Sequence, residues 1–210
     1  SSPKTQSALL EAMQERSVTV LGTTHALPNP FFVLATQNPI ELEGTYPLPE
    51  AQLDRFLFRV NVPAVGAKTM ALILTQRVRG APPALEPVVD FASLEKLFAI
   101  VDRVHLPQPV AEYIGRLVEA THPAVASSPS AVKRFVKYGG SPRAALALAS
   151  SSRAWALSKG KPNVGFDEVR ELASAVLNHR LVLSYEAGLE KVTAPKVVDE
   201  LVAQVPEIAR

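Results

Sequence analysis

The sequence contains no cysteine among its 210 residues. This absence excludes a scaffold held by disulfides, a metal site with thiolate ligands and catalysis by a cysteine nucleophile. Long hydrophobic runs are missing too: the apolar runs are short, such as residues 31–35, whereas a membrane-spanning helix needs roughly 18 apolar residues. We therefore expect a soluble, cytoplasmic protein with no membrane span.

A strong excess of charge of either sign is also absent. The 22 Lys and Arg residues nearly balance the 20 Asp and Glu residues, for a net charge of +2, and they are dispersed along the chain. Because proteins that bind nucleic acid concentrate basic residues on one face, we do not expect a nucleic-acid partner. Hydrophobic side chains are abundant, at 47%, and can supply the core of one large or two small domains.

The start of the chain combines a helix pattern with a hairpin pattern. Ser2 and Pro3 suit the N-cap and the first position of an amphipathic helix. Residues 17–27 then alternate between apolar and polar side chains, which predicts a β-hairpin. Gly22 and Thr23 are predicted as its two-residue turn, with the glycine first.

Two further segments are predicted as strands. The apolar run at residues 31–36 suits a strand buried on both faces of a parallel sheet, and the alternation at residues 56–62 suits a strand at a sheet margin. A proline-rich loop at residues 39–49 separates them. Because so few strands cannot form an independent parallel sheet, we expect the missing strands in an N-terminal portion of a longer polypeptide or in another chain.

From residue 63 onward the hydrophobic period is helical. Ser141 and Pro142 suit the N-cap and first position of a long helix, and Asp167 is predicted to cap the next one. Further helical stripes lie at residues 70–78, 94–101, 110–118, 128–136 and 198–202. These patterns predict an α/β unit with few strands, followed by an all-α domain.

Four motifs in a fixed order carry a family resemblance. They are SPKTQSALLEAMQE at 2–15, ATQNP at 35–39, EGTYPLPEAQLDRF at 43–56 and GSPRA at 140–144. Together they resemble the MoxR family of AAA+ ATPases, over essentially the whole chain. The resemblance implies that residues 1–62 form the second half of a P-loop AAA+ α/β nucleotide-binding domain, beginning just after the Walker B strand, and that residues 63–210 form an α-helical lid domain.

The sequence departs from that family at the phosphate-binding loop. It contains no G-x-x-x-x-G-K-[ST] motif, since its single Gly-Lys pair, Gly160-Lys161, is followed by Pro162 where the motif needs Ser or Thr. The VVDE run at 197–200 imitates the end of a Walker B strand, but it lies in a helical stripe, and we interpret it as coincidence. We therefore expect ATP and Mg²⁺ to be bound mainly by residues absent from this chain, which alone should be inactive.

Asn38 is the first candidate site residue. An amide at the end of a buried strand can both donate and accept, so it can hold an attacking water or contact a terminal phosphate without becoming charged. The resemblance makes Asn38 sensor 1, a catalytic position. The residues alone leave a second interpretation open, in which Asn38 and Pro39 form a turn that ends the strand.

Arg55 is the second candidate. Its planar guanidinium is always charged and can meet two phosphate oxygens at once, and it stands between a short proline-initiated helix and a predicted strand. By resemblance it is the arginine finger, which acts in trans on the ATP of a neighbouring subunit. The alternative is a surface ion pair with Asp54, worth under about 1 kcal/mol. Arg59 is a weaker candidate because the alternation places it on a solvated face.

Arg143 is the third candidate. It would lie in the first turn of its helix, where the unpaired N–H groups and the helix dipole favour anions, so a cation there is locally unfavourable. A phosphate partner explains it better than helix stability does, and the resemblance makes Arg143 sensor 2, which contacts the ATP phosphates and couples nucleotide state to lid angle. The alternative is an ordinary exposed arginine.

The histidines do not suggest a metal site. The sequence has four of them, far apart and without i, i+4 spacing: His25, His105, His122 and His179. We therefore predict no metal site in this chain, and surface or loop positions for the histidines.

The resemblance also implies a function for the full-length protein. It would be an ATP hydrolase that couples hydrolysis, in a hexameric ring of identical subunits, to the remodelling or maturation of partner proteins, with a von Willebrand factor A domain protein as the partner that the family suggests. Two alternatives stay open. One is a DNA-remodelling AAA+ motor, which would show salt-dependent DNA binding, and the other is a non-catalytic helical interaction module.

Overall fold

The computed structural model describes residues 3–37, 48–76 and 84–208. The chain begins with helix α1 (Pro3–Glu15), and the antiparallel strands β1 (Ser17–Val20) and β2 (Thr23–Ala26) follow. The predicted helix and hairpin are therefore confirmed.

The hairpin turn lies one residue earlier than predicted. Val20 pairs with Thr23, so the turn residues are Leu21 and Gly22, with φ of 50° and 81°. A two-residue turn with positive φ at both positions is of type I′, in which the twist of the turn matches the twist of the strands. Glycine is therefore the second turn residue, and the prediction that placed it first is wrong.

The segments predicted as strands at residues 31–36 and 56–62 are not strands. Neither forms a ladder with any part of the chain that the structure describes. Their apolar side chains are largely exposed, as Leu34 at 97% and Val62 at 89% illustrate. The alternation identifies residues that suit a strand, but a strand exists only through hydrogen bonds to a neighbour, and such a neighbour is not among the described residues.

Three helices precede the helical core, one between these two segments and two after them. They are α2 (Glu50–Leu53), α3 (Ala67–Gln76) and α4 (Phe91–Arg103), and none of them has a buried residue. The Asp90 side chain caps α4 by accepting from the Ser93 N–H at 2.8 Å. The ring of Phe32 contacts that of Phe98 on α4, with 6.3 Å between the ring centroids. The helices themselves follow the predicted stripes.

The remainder of the chain is mostly helical. Its helices are α5 (Gln108–Glu119), α6 (Ser130–Phe135), α7 (Pro142–Ser158), α8 (Phe166–Leu177), α9 (Tyr185–Leu189) and α10 (Ala194–Gln204), and its strands are β3 (Val136–Tyr138) and β4 (Val182–Leu183), which pair antiparallel. Helix α7 packs against α5 and α8, and α10 packs against α8 and α6. Of the helices in the described ranges, none combines the length and the apolar composition that crossing a membrane requires.

The hydrophobic core lies between these helices. Leu117, Leu148, Val169 and Leu201, one each from α5, α7, α8 and α10, are completely buried. Each such side chain contributes about 1.5–3 kcal/mol when it leaves water. The structure is thus mixed α/β, with few strands and a helical domain that holds the core.

Most of the predicted helix starts are correct, with one exception. Ser141 is the N-cap of α7, and its Oγ accepts from the Arg143 N–H at 3.2 Å. Asp167, however, does not cap α8; the N-cap is Gly165, whose N–H donates to Glu168 Oε2 at 2.9 Å. A carboxylate three residues into the helix satisfies this N–H, so the cap residue itself needs no side chain.

Candidate functional site

Two of the three predicted site residues lie beside one carboxylate, that of Asp54. Asp54 is the C-cap of α2, and its Oδ2 accepts from Ser141 Oγ at 2.8 Å and from Arg143 Nη1 at 3.3 Å. Arg55 is the next residue along the chain. The third predicted site residue, Asn38, lies outside the described residues.

Arg180 binds the other oxygen of the same carboxylate. Its Nε donates to Asp54 Oδ1 at 3.1 Å, and its Nη2 donates to the carbonyl oxygens of Asp54 and Phe56 at 3.2 and 2.7 Å. Its Nη1 donates to the carbonyl oxygens of Leu57, at 3.2 Å, and of Val176. All five donors of this guanidinium are therefore used, although its side chain is only 2% exposed. Burial lowers the pKa of Arg180, and the Asp54 carboxylate opposes that effect.

Three more contacts join the same segment to the end of α8. His179 Nε2 lies 2.9 Å from the Phe56 carbonyl oxygen, and Asn178 Nδ2 donates to the Arg59 carbonyl oxygen at 3.0 Å. The Arg59 N–H donates to the Ala175 carbonyl oxygen at 2.9 Å. We call the contact of residues 54–59 with residues 141–143 and 175–180 the Asp54 junction.

His179 lies in the turn that follows α8, as a loop position predicts, but it is not at the surface. It is buried, at 7% exposure, whereas His25, His105 and His122 are exposed. Burial lowers the pKa of His179, and the hydrogen bond with the Phe56 carbonyl opposes this. The sequence carried one signal of this site: Asn178, His179 and Arg180 place three hydrogen-bonding side chains in a row directly after a helix.

Arg55 does not form the predicted alternative ion pair with Asp54. The Asp54 carboxylate is bound by Ser141, Arg143 and Arg180, and no ion pair joins Arg55 to any residue in the described ranges. The Nε and Nη1 atoms of Arg55 are covered and find no hydrogen-bond partner among those residues. Such donors gain free energy when they find an anion, because an unmet hydrogen bond to a charged group is costly.

Arg143 combines partial exposure with a weak tether. Its side chain is 53% exposed, and its ion pair within the described ranges is the one with Asp54, at 3.3 Å. The backbone of Arg143 is fixed more firmly, because Ser141 caps the helix and Pro142 occupies its first position. A fixed backbone with a half-exposed guanidinium suits a group that binds an anion arriving from solvent.

A glycine pair sets the position of the α7 start. A Cβ on Gly139 would lie 2.6 Å from Thr121 Oγ1 and 2.7 Å from the Thr121 carbonyl oxygen, so only glycine fits there. The N–H of Gly140 donates to Thr121 Oγ1 at 2.9 Å. The end of α5 thus positions Ser141 and, through it, the Asp54 junction.

The acidic and histidine side chains do not gather into a metal centre within the described ranges, where no group of three or more is placed to hold an ion. The Asp54 junction contains one acidic side chain, that of Asp54, and three donors already bind its carboxylate. The chemistry available at the junction is therefore that of guanidinium groups, which bind oxyanions.

Comparison with protein families identifies both parts of the chain. A model of the ATPase family associated with various cellular activities (AAA) matches residues 1–58, and a model of the AAA lid domain matches residues 129–201. The first match ends within the Asp54 junction, and the second contains its α7 and α8 sides.

Individual relatives agree with the family models. The protein Chaperone MoxR1 of Mycobacterium tuberculosis is 40% identical over 202 residues, which cover 96% of this chain and 53% of that protein. YeaC of Bacillus subtilis, an uncharacterized protein, is 42% identical over 210 residues, covering 97% of this chain and 61% of that protein. Two proteins named MoxR, from Paracoccus denitrificans and Methylorubrum extorquens, are 30% and 29% identical.

A solved structure shares the fold. The crystal structure of a protein from Cytophaga hutchinsonii superposes with a TM-score of 0.91 at 34% sequence identity, covering all of this chain and 63% of that one. The chain thus spans between about half and two thirds of the length of the relatives that it matches. On these grounds the chain belongs to the MoxR family of AAA+ ATPases.

Proposed function

We propose that the full-length protein hydrolyses ATP in a hexameric ring of identical subunits and uses the reaction to remodel or mature partner proteins. Membership of the MoxR family supports the ATPase part, and the chaperone name of the Mycobacterium tuberculosis relative supports the remodelling part. The observation that carries the proposal is the Asp54 junction, where Arg143 binds the carboxylate of the residue that precedes Arg55.

In this proposal Arg55 is the arginine finger and acts in trans. Phosphoryl transfer to water needs positive charge near the oxygens of the terminal phosphate, and a guanidinium from a neighbouring subunit can supply it. Arg55 forms no ion pair with any described residue, and the carboxylate next to it is taken by other donors, so the charge of Arg55 is available to an anion from outside the chain. The exposed apolar side chains of residues 56–62 also support a position at a boundary with further protein.

Arg143 is proposed as sensor 2, which binds an ATP phosphate, and Asn38 as sensor 1, which orients the attacking water. The half-exposed guanidinium of Arg143 on a firmly capped helix fits an oxyanion ligand. The domain division that accompanies these roles is a nucleotide-binding part at residues 1–62 and a lid at residues 63–210.

ATP supplies the phosphoryl group and Mg²⁺ neutralises its charge, but this chain offers only part of their site. Its guanidinium groups fit phosphate, whereas the phosphate-binding loop is missing from the sequence. We therefore propose that the chain alone is inactive. From the family resemblance we also propose that the partner is a von Willebrand factor A domain protein and that the location is cytoplasmic.

Arg55→Ala in the full-length protein tests the finger directly. Arginine fingers contribute about 10³ to 10⁵ in rate, so kcat should fall by at least about 10³-fold. The Kd of a non-hydrolysable ATP analogue, measured by calorimetry with Mg²⁺ present, should stay unchanged, because a finger acts in the transition state.

Arg59→Ala is the matched control. Arg59 lies four residues further along and is exposed, and its hydrogen bonds to Asn178 and Ala175 are made by its backbone, which alanine keeps, so its truncation should leave kcat and Kd at their wild-type values. An equal decrease of kcat in the two variants, or a loss of nucleotide binding in Arg55→Ala, would contradict the role of Arg55 in trans.

A further inference from the structure

One carboxylate at the Asp54 junction is shared by two arginines that differ sharply in exposure. The Arg180 side chain is 2% exposed and has all five donors bonded, whereas the Arg143 side chain is 53% exposed and has one contact with Asp54. If Arg180 moved away, the largely buried carboxylate of Asp54 would lose the guanidinium that compensates its charge, which is costly. Arg143 can leave for another anion while its helix stays capped.

The buried arginine also fixes the backbone on both sides of Arg55. Its Nη2 donates to the carbonyl oxygens of Asp54 and Phe56, the residues that flank Arg55. The imidazole of His179 contacts the same Phe56 oxygen at 2.9 Å. The peptide groups around Arg55 are therefore held to the end of α8, and the direction of its side chain depends on that attachment.

We propose that Asp54 is a positioning residue: with Arg180 it fixes the backbone that presents Arg55, and its carboxylate competes with the phosphate of ATP for Arg143. The inference rests on the proposed function, since it takes Arg55 as the finger and Arg143 as the phosphate ligand. When Arg143 binds the nucleotide, the Asp54 carboxylate loses one of the three donors that hold it. Nucleotide state is thereby coupled to finger position through one side chain.

The two roles of Asp54 predict opposite effects on two measurable quantities. Loosening the backbone of Arg55 misplaces a group that acts in the transition state, which lowers kcat. Removing the competing carboxylate leaves Arg143 free for phosphate, which tightens nucleotide binding. A residue that only stabilises the fold would weaken both catalysis and binding when it is replaced.

The test is Asp54→Asn in the full-length protein, with kcat and the Kd of a non-hydrolysable ATP analogue measured in the presence of Mg²⁺. We expect kcat to fall about 10- to 100-fold, the loss typical of a misplaced catalytic group. The Kd should decrease by about 1.5- to 5-fold, the worth of a partly exposed ion pair. In an Arg143→Gln background Asp54→Asn should no longer change the Kd, because the competition is gone.

Deuterium uptake by residues 56–62 gives a readout without turnover. The Arg59 N–H donates to Ala175 in the wild-type protein, and uptake here should rise in Asp54→Asn if the attachment is lost. Asp199→Asn is the control, since Asp199 is exposed on α10 and should change neither kcat, Kd nor uptake. If circular dichroism shows Asp54→Asn to be unfolded, Asp54→Glu replaces it; that variant keeps the charge but displaces it, and kcat should fall about tenfold at constant Kd.

The outcomes separate this inference from the proposed function. A wild-type kcat in the folded Asp54 variant, unchanged uptake, or a Kd that weakens in parallel with kcat overturns the positioning role. Arg55→Ala, assayed in the same series, tests the finger itself: if it keeps wild-type activity, the proposed function fails and this inference fails with it. If Arg55→Ala is inactive and Asp54→Asn is fully active, only the inference fails.

Discussion

Because His179 is buried, its protonation is coupled to the stability of the folded protein. Its imidazole lies at the Asp54 junction, where desolvation lowers its pKa; the positive charges of Arg180 and Arg59 act in the same direction, and the Phe56 hydrogen bond and Asp54 act against them. A neutral imidazole can donate to the Phe56 carbonyl from Nε2. The folded protein therefore favours the neutral form of this side chain.

The sign of the pH effect follows from that preference. As the pH falls through the ordinary value of 6.5, the unfolded chain takes up a proton that folded His179 resists, so the free energy of unfolding decreases. We predict that the Tm falls between pH 7.5 and pH 5.5, and that His179→Gln reduces this fall because it removes the titrating group. Calorimetric unfolding at the two pH values measures both.

His25→Gln serves as the comparison for the same substitution. His25 is exposed on β2 and is not one of the residues of the Asp54 junction, so its replacement should leave the wild-type pH dependence intact. A wild-type pH dependence in His179→Gln would show that another group is responsible.

At the scale of elements, the approach of the α7 start to the end of α5 positions Ser141 and Arg143. A Cβ on Gly139 would meet the backbone carbonyl group of Thr121 as well as its side chain, and a backbone group cannot give way cheaply. Gly115, in the middle of α5, has open space where a Cβ would lie. Replacement by alanine should therefore change the free energy of unfolding in opposite directions at the two glycines.

We predict that Gly139→Ala lowers the free energy of unfolding by about 1–3 kcal/mol, the usual cost of overpacking. Gly115→Ala should raise it by about 0.5–1 kcal/mol, because alanine is the better helix residue. Urea unfolding followed by circular dichroism measures both. A neutral Gly139→Ala variant would mean that the α7 start is free to shift, and the described position of Ser141 would lose its support.

The elements that the sequence predicted correctly have local signals. Helix α7 was marked by Ser141 and Pro142, and the hairpin by alternation around Gly22. Strands β3 and β4 lacked such a signal, because each is three residues or fewer and they pair across some forty residues of chain. The apolar run at residues 31–36 has the composition of a strand, but no part of the chain that the structure describes pairs with it.

At the scale of the whole molecule, the candidate site is a non-local contact between the two parts of the chain. Asp54 and Arg180 are 126 residues apart in sequence, and no periodicity relates an aspartate in one part to an arginine in the other. The motif around Arg55 and the capped start around Arg143 were visible because each is local. The role of the Asp54 carboxylate could not be predicted from the sequence. Only the fold brings the end of α2 to the start of α7 and the end of α8.

The central claim is that Arg55 completes the ATP site of a neighbouring subunit, and mixing two inactive full-length variants tests it most directly. One variant carries Arg55→Ala and keeps its phosphate-binding loop; the other keeps Arg55 and has the lysine of that loop replaced by alanine. Random assembly at equal concentrations places an intact finger beside an intact loop at roughly a quarter of the interfaces in a ring. We predict that ATPase activity rises on mixing toward that fraction of the wild-type rate, whereas a mixture as inactive as its components would contradict the claim.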